Sequence, residues 1–341
     1  MTRGRLRHKL ALFGVTILVA LGGLEIAARA YARFAKQDRV LIHDPLLGWK
    51  PVAGARKWYT SEEAPYLIEI NSKGLRDHEY PYEKPAGVFR ILFLGDSFVF
   101  GSGGVESGRR FTELLESSTP RLEVVNAGVP GYSPDQEFLF LQSEGHRYQP
   151  DLVVVGLFMN DFSEAFLPFN PSIQRAKGHI ALEEGELRFH SPAFGLFFRA
   201  VQSSYVLALA DQRLQLSSRL QRRSRPETAP DQATRREAFR RLLLAMRDFC
   251  ARRGAGLAVV HFPIKSQKNR HALEDVLDDV ASRGGIPVLN LHGLIDRPED
   301  ARSPFFQHDI HLNDHGHARA AELLSEFLSQ RTAFGDHVRR R

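Results

Sequence analysis

Short apolar runs alternate with helix-spaced segments over much of the chain. The apolar runs are Phe89–Leu94, Leu122–Asn126, Leu152–Leu157, Leu257–Phe262 and Pro287–Leu291. The segments with helical spacing are Arg110–Ser117, Pro134–His146, Arg236–Arg253, Arg270–Ser282 and Asp314–Ser329. Runs this short, bounded by glycine, proline or polar residues, read as buried strands. A parallel strand pair needs a crossover long enough to hold a helix, so the alternation specifies an α/β fold around a parallel sheet of five strands. The last helix keeps Ala318, Ala321, Leu324 and Leu328 on one face, with Asn313 or Asp314 as its N-cap. Open parallel sheets bind ligands beyond the carboxyl ends of their strands. The residues that follow each run are therefore where chemistry belongs.

Four such stretches carry it. Gly95-Asp96-Ser97 follows the first run. A serine there sits on a rigid support with its hydroxyl toward the crevice, as a nucleophile would, although Gly-Asp-Ser is also an ordinary turn. Asn126 to Ser133 follows the second run, and its glycines let backbone N–H groups approach a ligand closely. Gly156 to Asp161 follows the third, where Asn160 can point an amide into the same crevice. His308 to His317 precedes the last helix and supplies an imidazole with a carboxylate close by. Asp96, Asn126 and Asp161 read as bonding loop backbone, and His261 as structural.

Taken together the set resembles the SGNH (GDSL-type) hydrolase family. Gly95-Asp96-Ser97, Asn126 to Gly131, Asn160-Asp161 and Asp309-Ile310-His311-Leu312-Asn313 are similar to its blocks, in order. The resemblance implies a three-layer α/β/α, flavodoxin-like fold and ester hydrolysis or acyl transfer without metal or cofactor. It implies Ser97 as nucleophile, His311 as base and Asp309 as its orienting acid. The oxyanion hole would be the Ser97 N–H, the Gly131 N–H and the Asn160 side chain. The family's usual spacing is Asp-x-x-His, whereas Asp309 stands two before His311 and His308 stands three before. A Ser-His dyad is the alternative. The implied substrate is an ester, a short acyl group on a carbohydrate or lipid. Transfer to a glycan hydroxyl and an inactive envelope scaffold are the competing functions.

The other segments set the context. Arg3, Arg5, Arg7 and Lys9 precede an apolar stretch from Leu10 that continues past Glu25 to about residue 32. This reads as an uncleaved signal anchor, because it outruns the apolar core of a secretory signal; a cleaved signal ending at Ala28-Arg29-Ala30 competes. The catalytic domain is expected outside the cytoplasm. Residues 33–85 read as a linker and edge-packing segment, with a strand near Tyr66–Ile70 and no chemistry. The hydrolase domain is expected over 86–332, with an insertion at about 162–233 and a basic tail at 333–341. Within the insertion, Ile180–Phe189 reads as a hairpin, Phe194–Ala210 as an apolar helix, and 217–232 as a mobile polar segment. The formal charge of +6 comes from arginine clusters without interleaved aromatics, so no nucleic-acid platform is expected. The single cysteine, Cys250, excludes an intrachain disulfide and reads as a buried structural thiol. His308, His311, His315 and His317 match no metal-ligand spacing.

Overall fold

The computed structural model describes residues 3–34, 40–63, 65–173, 175–191, 197, 200–201, 204–214, 216, 219–220, 231–265, 272–294 and 302–339. Helix α1 (Arg3–Phe34) is followed by two hairpins, β1 (Leu41–Asp44) with β2 (Gly48–Pro51) and β3 (Arg56–Thr60) with β4 (Pro65–Glu69). The sheet region then runs β5 (Phe89–Gly95), α2 (Ser97–Phe100), α3 (Phe111–Ser118), β6 (Leu122–Gly128), α4 (Pro134–Ser143), β7 (Leu152–Leu157) and α5 (Met159–Glu164). The insertion contributes the short pair β8 (Phe169–Asn170) and β9 (Arg175–Ala176), the hairpin β10 (His179–Glu183) with β11 (Glu186–His190), and α6 (Tyr205–Leu214). Helix α7 (Gln232–Ala251), β12 (Gly256–His261), α8 (Ala272–Ser282), β13 (Val288–Asn290), α9 (Asp314–Arg331) and α10 (Phe334–Arg339) complete the chain.

Five strands form one parallel sheet in the order β13-β12-β7-β5-β6. The first of these strands in sequence, β5, lies second from one edge between β6 and β7, and the order reverses beside it. This is the doubly wound, flavodoxin-like arrangement, with its ligand crevice at the switch between β5 and β7. Side chains alternate across the sheet. Leu92, Leu94, Val153 and Val155 pack with Leu139, Phe239, Leu243 and Val276 on one side. Ile91, Phe93, Val154 and Val260 pack with Phe111, Leu115, Leu324 and Leu328 on the other. Helices thus cover both faces and make three layers.

The amphipathic segments form as their spacing predicts. Cys250 is buried in α7, where burial pushes its thiol up to about 12. The 180–189 hairpin is present as β10–β11. Much of the 194–210 and 217–232 stretches lies outside the described residues, and α6 begins later than the apolar pattern does. Two features differ from expectation. Residues 334–339 are a helix, not a free tail, because Phe334 is fully buried and its ring lies 5.5 Å from that of Phe89. The 33–85 segment is also more than edge packing. Buried Arg76 donates to the carbonyls of Phe100, Gly101 and Val105 at 3.0, 2.6 and 2.7 Å and so fixes the chain that leaves α2.

Helix α1 stands apart from both core layers. His8–Tyr31 has a mean hydropathy of 2.2 and is long and apolar enough to cross a membrane. Leu12, Phe13, Leu18, Val19 and Ile26 are all exposed. Such an exposed apolar helix, outside both core clusters, is compatible with a membrane anchor or a signal sequence.

Candidate active site

The short helix α2 can sit on the sheet because three strand ends lack side chains. A Cβ at Gly95 would lie 2.3 Å from Val99 Cγ2, one at Gly156 2.6 Å from the same atom, and one at Gly128 2.3 Å from the Phe100 nitrogen. The glycines at the ends of β5, β6 and β7 therefore form a floor on which the turn of Ser97 rests. Asp96 caps this turn by accepting from the Phe98 N–H at 2.8 Å, and the N–H groups of Gly101 and Ser102 both close onto the Ser97 carbonyl. Burial raises the Asp96 carboxyl to about 6, against the Phe98 hydrogen bond.

The histidine arrives from the loop before α9. The Phe306 N–H donates to the His311 carbonyl at 3.1 Å, and the Asn313 N–H to Pro304 at 3.0 Å. Asn313 caps α9 by accepting from the Gly316 N–H, while its amide donates to Ser303 and Phe305. Lys265, just beyond β12, donates to the carbonyls of Phe306, Gln307 and Asp309 at 2.5, 2.7 and 3.2 Å. The loop is thus held from both sides, and the His311 ring packs 4.9 Å from that of Phe98. Gly103 makes room for it, since a Cβ there would lie 3.1 Å from His311 Cβ.

Ser97 Oγ lies 2.7 Å from His311 Nε2, and His311 Nδ1 lies 2.5 Å from Asp309 Oδ1. A carboxylate can only accept, so Nδ1 carries the proton and donates to Asp309, leaving Nε2 to accept from the serine hydroxyl. Asp309 also accepts from the His311 backbone N–H at 3.0 Å. The bonds to His311 hold its carboxyl down at about 2, against partial burial. The two-residue spacing therefore does not turn Asp309 away, because the chain bends over residues 307–311 and brings its carboxylate to Nδ1.

The remaining predicted residues divide by role. The turn after β6 starts with the Val129 N–H donating to the Gly95 carbonyl and reaches Gly131 at φ +76°, a conformation glycine adopts without strain. Trp49 Nε1 donates to the Pro130 carbonyl and Tyr132 Oη to the Trp49 carbonyl, at 3.1 and 2.6 Å, tying this turn to the β1–β2 hairpin. Asn160 lies in the first turn of α5, where its Nδ2 donates to Glu164 at 3.1 Å. Asn126 and Asp161 bond loop backbone as expected: Asn126 donates to Val99 and accepts from Gly128, and Asp161 accepts from Phe158. His317 is buried and accepts from the Phe111 N–H; burial lowers its pKa to about 3. Of the 308–317 histidines, only His311 contacts Ser97 among the described residues.

Among the described residues, His261, Glu274 and His292 offer ligand atoms within 4.8 Å of one another and could hold an ion. Sequence reading had passed over Lys265, Trp49, Gly103 and Glu164. Lys265, Trp49 and Gly103 contribute through contacts distant in sequence, and Glu164 through side chains four to eight positions away that no regular period marks.

Comparison with protein-family models matches residues 93–319 to the GDSL-like Lipase/Acylhydrolase family. No curated protein matches the chain. Among solved structures, the lipase/acylhydrolase from Enterococcus faecalis is similar at 15% identity, over 71% of this chain and 95% of that one, with a TM-score of 0.42. An α/β hydrolase from the metagenome of Lake Arreo, Spain, is similar at 17% identity, over 72% and 96%, with a TM-score of 0.42. An acetyl xylan esterase is similar at 14% identity, over 70% and 98%, with a TM-score of 0.41.

Proposed function

Because the chain belongs to the GDSL-like lipase/acylhydrolase family and is an ester-bond hydrolase, we propose that it is a membrane-anchored serine esterase acting through Ser97, His311 and Asp309. The observation that carries this reading is the imidazole bridging a hydroxyl at 2.7 Å and a carboxylate at 2.5 Å. In the first step Ser97 Oγ attacks the ester carbonyl while His311 Nε2 takes its proton. Asp309 holds the imidazole in the Nδ1–H tautomer and stabilises the imidazolium. The oxyanion is met by the N–H groups of Ser97 and Gly131 and by the Asn160 amide, donors fixed before the reaction starts. The imidazolium then protonates the leaving alcohol, and water, activated by the same ring, releases the acid and restores the serine.

The substrate class in this proposal is a short acyl ester on a carbohydrate or lipid of the cell envelope. The domain lies on the extracytoplasmic side of a retained N-terminal anchor. Retention is supported by a contact that a removable leader would not need. Glu25 of α1 accepts from Ser204 Oγ at 2.8 Å and from the N–H groups of Tyr205 and Val206 at 3.0 and 3.2 Å. It thereby caps α6 across 180 residues of chain.

The test is turnover of short-chain nitrophenyl esters by the detergent-solubilised full chain beside Ser97→Ala. A serine-reactive phosphonate should label the first protein and not the second. Equal rates in the two proteins would remove the esterase assignment. Adding sugar acceptors then reports whether water or a hydroxyl receives the acyl group.

A further inference from the structure

The chain leaving β7 folds back over the site as the large insertion begins. Glu164, at the end of α5, is 4% exposed. Its Oε2 accepts from Asn160 Nδ2 at 3.1 Å and from Asn170 Nδ2 at 2.8 Å, and its Oε1 accepts from Ser172 Oγ at 2.6 Å. The same Asn170 amide donates to the Gly131 carbonyl at 2.8 Å. Asn170 Oδ1 accepts from the N–H groups of Ser172 and Ile173 at 2.8 and 3.0 Å. Ile173 then covers Gly131, since a Cβ on that glycine would meet three Ile173 carbons at 3.0 to 3.2 Å. One buried carboxylate thus touches one proposed oxyanion donor and, through a single amide, reaches the residue that carries another.

We propose that Glu164 is a positioning residue for the oxyanion hole, holding the Asn160 amide and, through Asn170, the Gly131 turn. The proposal rests on the esterase reading. An asparagine side chain has a broad terminal torsion and can present either its oxygen or its nitrogen to a site. A carboxylate is an acceptor only, so Glu164 selects the flip in which Nδ2 faces it. The amide has two N–H bonds. One is spent on Glu164, and its geometry aims the other at a fixed angle away from the carboxylate. Without that partner the amide could turn its oxygen toward the developing oxyanion, which repels rather than binds. Donors that must reorient during the reaction lose most of their value, so the gain belongs to the transition state and not to substrate binding. Glu164 touches no reacting atom in this scheme.

The test uses the full-length protein and a short-chain nitrophenyl ester. Glu164→Ala should lower kcat about 10- to 100-fold with KM within about threefold, because only transition-state binding is lost. Glu164→Gln should recover most of the loss, since its amide oxygen can take the place of Oε2. Glu164→Ala added to Asn160→Ala should cost no more than Asn160→Ala alone, the signature of one residue acting through another. A kcat for Glu164→Ala within about twofold of the unaltered enzyme overturns the proposal. So does a rise in KM alone, or two effects that multiply. Should Glu164→Ala fail to fold, Asn170→Ala takes its place: a kcat about 3- to 10-fold lower supports the link to Gly131, and an unchanged kcat refutes it. If the unaltered enzyme shows no Ser97-dependent turnover or phosphonate labelling, the esterase reading itself fails and the proposal falls with it. Turnover that persists while Glu164→Ala is unaffected sinks the positioning role alone.

Discussion

Ser97 and His311 are 214 positions apart in the chain and 2.7 Å apart in space. Their types and surroundings were legible, because a serine and a histidine at the edges of periodic segments stand out against apolar runs. The part played by Asp309 was not, since spacing alone cannot say whether a loop carboxylate turns under the ring. Its contacts make a prediction. Asp309→Asn should lower kcat by at least about 100-fold in the ester assay, because an amide allows the wrong imidazole tautomer. The same carboxyl links to stability with a definite sign. Its folded pKa, about 2, lies below the unfolded value. Its contribution is therefore present above roughly pH 4 and is lost as pH falls toward 2. Thermal unfolding of Asp309→Asn should approach that of the unaltered protein in that window and differ most above it. Glu137 has the opposite sign. It is 1% exposed, and neither of its carboxyl oxygens has a partner among the described residues. Burial, reinforced by Asp96 and Asp135, raises its pKa well above the ordinary value. Stability is then fullest below the unfolded pKa near 4 and declines as pH rises toward the folded one. Glu137→Gln should accordingly gain in melting temperature over the unaltered protein more at pH 8 than at pH 5.

At the level of elements, local pattern specified what local physics decides. The runs containing Ile91–Leu94 and Val153–Val155 are apolar on both faces, as strands between two helical layers must be, and they fell at their expected places. The two short helices at the crevice, Ser97–Phe100 and Met159–Glu164, were read only as loops. Helices of four and six residues are too brief to display a 3.6-residue period. The first exists because of the glycine floor beneath it, the second because Asp161 closes its first turn onto the Phe158 N–H. Gly128→Ala tests that floor: a methyl 2.3 Å from a backbone nitrogen cannot be relieved by a rotamer change. Overpacking of this kind costs about 1–3 kcal/mol. Calorimetry should show the lower melting temperature, and the displaced Ser97 turn should lose phosphonate reactivity. Lys265 illustrates the other kind of blindness. A lysine after a strand looks like solvent-exposed punctuation, yet this one gathers three carbonyls of the histidine loop. Lys265→Met should reduce kcat/KM about 10-fold through a looser His311, with little effect on the melting temperature.

For the molecule as a whole, the α/β/α layering and the apolar start of the chain were readable as separate facts. Their connection was not. Nothing in the sequence marks Glu25 as the cap of a helix 180 residues later; it reads as an interruption of an apolar stretch. The Arg29 guanidinium, paired with Glu25 at 2.8 Å, also lies over the Tyr205 ring at 5.4 Å, so both residues join α1 to α6. Removing the cap with Glu25→Ala should speed amide exchange in the first turn of α6 by about 2- to 30-fold, the range set by a lost N-cap. Hydrogen-exchange mass spectrometry on the detergent-solubilised full chain measures it. Intact-mass analysis of the same sample should find residues 1–31 still attached.

Glu25 lies six positions before Tyr31, about 9 Å along the helix from the end of the apolar stretch. With α1 in a bilayer, the first turn of α6 is pinned near the headgroups, so this part of the insertion travels with the anchor as a rider does with a saddle.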